Sequence, residues 1–323
     1  MLKRWLLALV VACAPISSPA YADPSPPAAA EMDAHRAFAD WLTRLTSVLD
    51  RAGAANEAFN GFFAGYDPNA SRDVQLQSFR RVREHAGGAR QLMSQLGAEV
   101  DAMAPFSYPG APSEYDVLSR TILSDTSQYI RNMDGVLDLI IQAVDAIEHQ
   151  DNAALRRLGP QLVRSAGLLV QGQIVMLRAR QQIVPSGESS HHSLGAMVAM
   201  YEGMYAMIMP NVGNRSEAIN AAARSAEGWG RSGRARLALT RTEAAAMPAR
   251  RRDIWLQMCD LEETFFAEND RVVALLQSAA RDAAAGVSEG DLNIRYTPQI
   301  SQIETRYQEI NSQQVALFSQ LTR

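Results

Sequence analysis

The sequence predicts an all-α protein of about eight long antiparallel helices, forming one or two four-helix-bundle units. Three observations predict it. Alanine is abundant while β-branched runs are scarce, apolar residues recur every three or four positions from about Ala29 onward, and no segment between turn signals alternates in polarity with period two. The chain has 323 residues, 47% hydrophobic and 20% charged, which excludes whole-chain disorder and a collagen-like repeat.

The first residues carry an address rather than structure. Met1 to Arg4 are followed by an apolar run from Trp5 to Ala12 and by the small-residue site Ala20-Tyr21-Ala22, the form of a secretory signal peptide over 1–22. Cleavage after Ala22 would deliver the mature chain to the periplasm or the exterior. The apolar run falls short of the ~20 residues a membrane span needs, and no later segment reaches that length without charge, so no transmembrane segment is expected in the mature chain. The alternative reading is Val10-Val11-Ala12-Cys13, which resembles a bacterial lipobox; Cys13 would then carry lipid and tether the protein to a membrane. Residues 23–28 are Pro-rich and read as a disordered leader.

Punctuation separates the helices. Gly65 to Asn69 ends the first, Pro105 to Pro112 the second, Gly159-Pro160 the third, Pro185 to Gly187 the fourth and Pro210-Asn211 the fifth. Pro248 divides the sixth from the seventh, and Gly286 to Pro298 precedes the last. Two seams are long: Ile254, Met258, Leu261, Phe265, Val272, Leu276, Ala279 and Ala283 in one helix, and Ile300, Ile303, Tyr307, Ile310, Gln314, Leu317 and Leu321 in the other. Such three-four spacing predicts coiled-coil-like packing of antiparallel helices, with Gln314 fixing register. Landmarks also recur. Pro68-Asn69 matches Pro210-Asn211 at an offset of 142, Met103 to Pro105 matches Met247-Pro248 at 143 to 144, and Gly159 to Leu162 matches Thr297 to Ile300 at 138. An internal repeat of a four-helix unit is the expectation, over 29–184 and 188–323.

Composition removes whole mechanisms. Lys3 is the only lysine, so a chain cleaved after Ala22 has none, and Schiff-base, phosphate-loop and Ser-Lys chemistry are excluded. Cys259 would remain as the one cysteine, so no intramolecular disulfide forms; its apolar setting predicts a buried small hydrophobe. His35, His85 and His149 adjoin acids or polar residues and read as surface groups. The formal charge of −4 gives no nucleic-acid footprint. Glu262 and Glu263 are adjacent in a helix and diverge by about 100°, and no nucleophile motif or zinc spacing is present.

Three clusters are candidates for function. Segment 188–209 holds five methionines; Met197, Met200, Met204 and Met207 share a face, with His191 and His192 one to two turns earlier. Thioether and imidazole ligands suit Cu(I), although methionine also fills irregular cores. Glu188-x-x-His191 has di-iron spacing but lacks the second motif that such sites need. Glu202 is the only charge between His192 and Arg215; with Tyr201 and Tyr205 it marks a pocket candidate, or an ion pair with a facing helix. Last, Arg231, Arg234, Arg236, Arg241, Arg250, Arg251 and Arg252 face the single acid Glu243 across 231–252, an anion-binding candidate in an otherwise acidic chain.

The sequence therefore points to a non-enzymatic binding or scaffolding protein of the cell envelope, with a protein or an anionic envelope component as partner and no cofactor. A copper-type metal protein is the alternative, and an enzyme of unknown class the third reading. If cleavage follows Ala22, an amine-reactive reagent will add one label per chain, on the α-amino group of Asp23, as read by intact mass. A chain starting at Cys13 with a diacylglycerol-sized addition would establish the lipoprotein instead.

Overall fold

The computed structural model describes residues 71–111, 113–184 and 186–321, with separate positions inside 34–52. Every regular element among the described residues is a helix and none is a strand. The signal segment, Cys13, the leader, His35 and the 65–69 break lie outside the described residues. The described positions of 34–52 are helical and bury Ala34, Phe38, Trp41, Leu45, Val48 and Ala52 at alternating steps of four and three. Seven helices follow: α1 (Arg72–Ala102), α2 (Ser113–Glu148), α3 (Asn152–Ile183), α4 (Ser189–Ile208), α5 (Arg215–Ala245), α6 (Ala249–Ala284) and α7 (Glu289–Leu321).

Two expected breaks fall elsewhere. Gly159-Pro160 does not end a helix; Pro160 lies inside α3. The turn is at 149–151, where Gln150 takes a left-handed backbone (φ 55) and the Asp151 carboxylate accepts from the backbone N–H groups of Ala153 and Ala154 at 3.0 and 2.9 Å. Pro298 likewise lies inside α7, which starts after Gly286 (φ 85). A proline removes one helical hydrogen bond. In both helices the buried stripe runs straight through it, as Leu158, Leu162, Ala166 and Leu169 in α3 and as Leu292, Tyr296, Ile300 and Ile303 in α7. Packing of the stripe outweighs the local break.

Helix lengths recur along the chain: α1 and α5 have 31 residues, α2 and α6 have 36, and α3 and α7 have 32 and 33. Packing divides the chain into two compact units at Met176/Leu177, within α3.

In the first unit, α1 and α2 run antiparallel around Phe79, Val82, Met93 and Leu96 of one and Tyr129, Met133, Leu137 and Ile140 of the other. Their edge is an ion-pair ladder: Arg80 to Glu148 at 2.8 Å, Arg83 to Asp145 at 3.0 Å, and Arg90 to Asp134 at 3.0 Å and to Asp138. Half-exposed pairs of this kind contribute ~1 kcal/mol or less each, so the ladder sets register more than stability. The 34–52 helix docks by its aromatic residues. Phe38 stacks on Tyr115 at 4.5 Å and meets Phe106 edge-on at 5.0 Å, while the Trp41 indole N–H donates to the Ala104 carbonyl at 3.0 Å.

In the second unit α4 packs against α5, α6 and α7 at once, and thirteen of its 20 residues are buried. One end of the unit is level: Arg215 donates to the Met209 carbonyl at 2.9 Å, and Ser216 to the Ala280 carbonyl at 2.8 Å. At the other end α4 is too short. Ser189 sits beside Arg236 and Thr240 of α5 and beside Cys259 and Glu262 of α6, yet α5 continues to Ala245. The α5–α6 hairpin thus overhangs the start of α4 by about nine residues, or ~13 Å, with Leu317 of α7 packed against Ile254 and Met258 there.

Close approach between α5 and α6 depends on a missing side chain. A Cβ at Gly233 would collide with the Phe266 ring, whereas one at Gly228 would meet nothing within 4 Å. Gly228→Ala is therefore expected to stabilise the protein by roughly 0.5–1 kcal/mol through helix propensity. Gly233→Ala is expected to destabilise it by about 1–3 kcal/mol through overpacking. Urea unfolding of the two variants measures the contrast, and shifts of the same sign would remove the close-approach argument.

Candidate functional site

The methionine face of α4 is core. Met197, Met200, Met204 and Met207 are each at most 1% exposed. Along a helix rising ~1.5 Å per residue, His191 and Met207 stand about 24 Å apart, so the two histidines and four methionines do not converge on one point. His191 Nδ1 faces two carbonyls, Val184 at 2.9 Å and Gln181 at 3.1 Å, and so carries the proton it donates to them. The His192 ring lies 5.8 Å from Trp229, and its Nδ1 is buried with no partner among the described residues. Burial, His191 and Arg236 hold the His192 pKa below its ordinary value. Among the described residues no group of three His, Cys, Asp or Glu is placed to hold a metal ion.

Tyr201, Glu202 and Tyr205 face different surroundings. Glu202 is about a third exposed and pairs with Arg178 near the end of α3. Tyr201, one residue and ~100° away, is fully buried and donates its hydroxyl to Glu304 of α7. Tyr205 is half-buried.

The arginine cluster is divided by acids. Arg231 pairs with Glu227 at 3.2 Å, Arg234 with Asp270 at 2.7 Å, Arg236 with Glu243 at 3.2 Å, Arg241 with Asp260 at 2.9 Å and Arg252 with Asp253 at 3.2 Å. Arg250 and Arg251 are exposed in the first turn of α6 and have no ion pair with a described residue.

A recess of the second unit lies where α4 stops short. Its floor is Glu188 to Ser190; its walls are Arg236 and Thr240 on one side and Trp255, Met258, Cys259 and Glu262 on the other. Glu188 and Glu262 are each only 8% exposed. The Ser190 hydroxyl donates to Glu188 at 3.3 Å, and the Ser189 hydroxyl bonds to Glu262. Burial, reinforced by the nearby Glu188 charge, pushes Glu262 up to about 7 despite the Ser189 bond. Burial and the neighbouring Glu262 push the Cys259 thiol up to about 11, so it stays un-ionised. The Trp255 indole nitrogen is buried without an acceptor among the described residues.

A second buried acid sits deeper. Glu304 is 1% exposed, and burial pushes it up to about 8 although the Tyr201 bond pulls the other way. Near neutrality it holds its proton. Beside it on α7, Tyr307 stacks on Phe265 at 4.1 Å with its hydroxyl enclosed.

Comparison of the chain with protein-family models, with curated proteins and with solved structures finds no match. The site therefore has to be argued from its own residues. Sequence reasoning passed over Glu304 and Trp255, and it took Glu262 only as half of a diverging pair. The signal for Glu304 was its place directly after Ile303 on the α7 seam, where a charge falls inside the buried stripe.

Both buried carboxyls make the second unit pH-sensitive. Their folded pKa values lie above the ordinary 4.5. From about pH 4.5 to 7 or 8 the unfolded chain releases protons that the folded chain retains, so stability is greatest at the acid end and falls as pH rises. The loss is about 1.4 kcal/mol per pH unit for each group. Urea unfolding between pH 5 and pH 8, followed by tryptophan fluorescence, should show the decline, and Glu304→Gln should flatten it. An equal slope in the variant would show that Glu304 is not the source.

Proposed function

We propose that this chain is a non-enzymatic binding or scaffolding protein of the cell envelope, exported by residues 1–22, that engages an anionic envelope component through the first turn of α6. One observation carries the reading. Arg250, Arg251 and Arg252 occupy a helix start with no acid in its first turn and no side-chain cap on its N-terminal amides. The helix dipole is positive there, so each arginine opposes it by ~0.3–1 kcal/mol. A charge arrangement that works against the fold is what recognition of an anion would require. The place of these residues adds support, because the α5–α6 hairpin extends past α4 and presents Arg250 and Arg251 at its tip.

Vesicles of phosphatidylglycerol, with phosphatidylcholine as control, test the reading. The parent should bind the anionic vesicles at low salt and lose binding as salt rises, since the attraction decays over about 8 Å at physiological ionic strength. Each exposed arginine contributes about 1 kcal/mol at such a surface, so Arg250→Glu with Arg251→Glu should abolish binding while leaving the helical circular dichroism intact. Equal binding by parent and variant would remove the α6 tip from the account. Stoichiometric copper in protein purified without chelator would favour the metal reading of His191, His192 and the methionine face instead.

A further inference from the structure

We propose that the groove between the 34–52 helix and the α1–α2 connection is a binding site for a small apolar monocarboxylate, a flat ring or short chain that carries one carboxylate group. The inference is independent of the arginine turn of α6, because every residue it uses lies in the first unit. The groove measures about 580 Å³, within the range of small-molecule sites.

Its walls are already bonded in place. The connection leaves α1 after Ala102 and turns at Gly110, which has a left-handed backbone (φ 80). Between these points the Ala104 carbonyl accepts from the Trp41 indole N–H at 3.0 Å. The Phe106 N–H donates to the Ser119 hydroxyl at 2.9 Å, and that hydroxyl donates to the Asp116 carbonyl at 2.8 Å. The Phe106 ring meets Phe38 edge-on at 5.0 Å and lies parallel to Tyr108 at 6.5 Å. A preformed site of this kind loses little conformational entropy when a guest enters.

The lining selects the guest. Trp41 and Phe106 line the groove and are buried, whereas Tyr108 is exposed, so aromatic surface runs from floor to rim. Among the described residues no carboxylate lines the groove, and Arg44 is its single formal charge. Arg44 is exposed and has no ion pair or hydrogen bond with a described residue. By contrast Arg51, two turns along the same helix, is engaged by Glu99. A cation entering the groove would meet an uncompensated guanidinium and no acid. A bare inorganic anion would leave the aromatic walls uncovered. A carboxylate on an apolar body answers both: its two oxygens can accept parallel N–H bonds from Arg44, and the body covers the aromatic faces. The Ser107 hydroxyl, also in the lining, offers one further donor.

Titration of the full chain at pH 7 with phenylacetate, benzyl alcohol and benzylamine, each to roughly 50 mM at fixed ionic strength, tests the proposal by calorimetry. The indole N–H resonance of Trp41 reports where the guest sits. Phenylacetate should bind with a Kd on the order of 1 mM and move that resonance. Benzyl alcohol should bind about tenfold more weakly, and benzylamine should not bind. Arg44→Gln, at an exposed position, should reduce phenylacetate to the affinity of benzyl alcohol and leave benzyl alcohol unchanged. Tyr108→Ala should weaken both guests alike, which separates the ring contact from the charge contact. Failure of phenylacetate to bind the parent, an unmoved Trp41 resonance, equal binding of benzylamine, or an unchanged phenylacetate affinity in either variant would each overturn the proposal.

Discussion

A helix with no polar face has to be enclosed, and α4 is that helix. From Leu194 to Ile208 it is apolar apart from two tyrosine hydroxyls and Glu202, which reaches sideways to Arg178. Three partners must surround it, and α5, α6 and α7 do so. Their small and apolar inner residues follow from that demand: Gly203 admits Leu276, and Ala199, Ala226 and Val273 close around Trp229. Because α4 is shorter than α5, α6 and α7, the enclosure cannot be completed at both ends. The level end is sealed by Arg215 and Ser216, and the other is left as a recess lined by both polar and apolar side chains.

Enclosure also decides which charges behave abnormally. In the first unit the acids of the α1–α2 edge face solvent and arginine, and Glu99 and Asp116 are held below the ordinary range by hydrogen bonds from Arg51 and Arg120. In the second unit Glu262 and Glu304 lie on faces that α4 forces inward, and both are raised by burial.

Much of the fold was legible because helix periodicity is a local signal. The three-four stripes of α6 and α7 are buried from Ile254 to Ala279 and from Ile300 to Ile310, except at Leu261, which is half-buried while its neighbour Glu262 turns inward. Pro160 and Pro298 misled because a proline is a local cost, whereas the stripes crossing them draw on packing from other helices. The site was less legible for the same reason. Which of the Glu262–Glu263 pair turns inward depends on the neighbouring helices: Glu262 faces Ser189, while Glu263 reaches Arg234 at 3.2 Å. Likewise, the seven arginines form a run in sequence, but three of the acids that divide them, Asp260, Glu263 and Asp270, come from α6 positions 19 to 36 residues away. Only the first turn of α6, where sequence neighbours are also spatial neighbours, kept the character the run suggested.

The unequal helix lengths grade the second unit along its axis. Four helices share their apolar surface over the length of α4, and only three do so beyond Ser189. Cooperative units with fewer buried contacts open at lower free energy. Backbone amides of the hairpin tip around 240–256 should therefore exchange their hydrogens with solvent ahead of those in the middle of α4, by sub-global fraying that leaves the rest of the bundle folded. Both the arginine turn and the recess lie on this loosened end, while the methionine-lined interior stays locked.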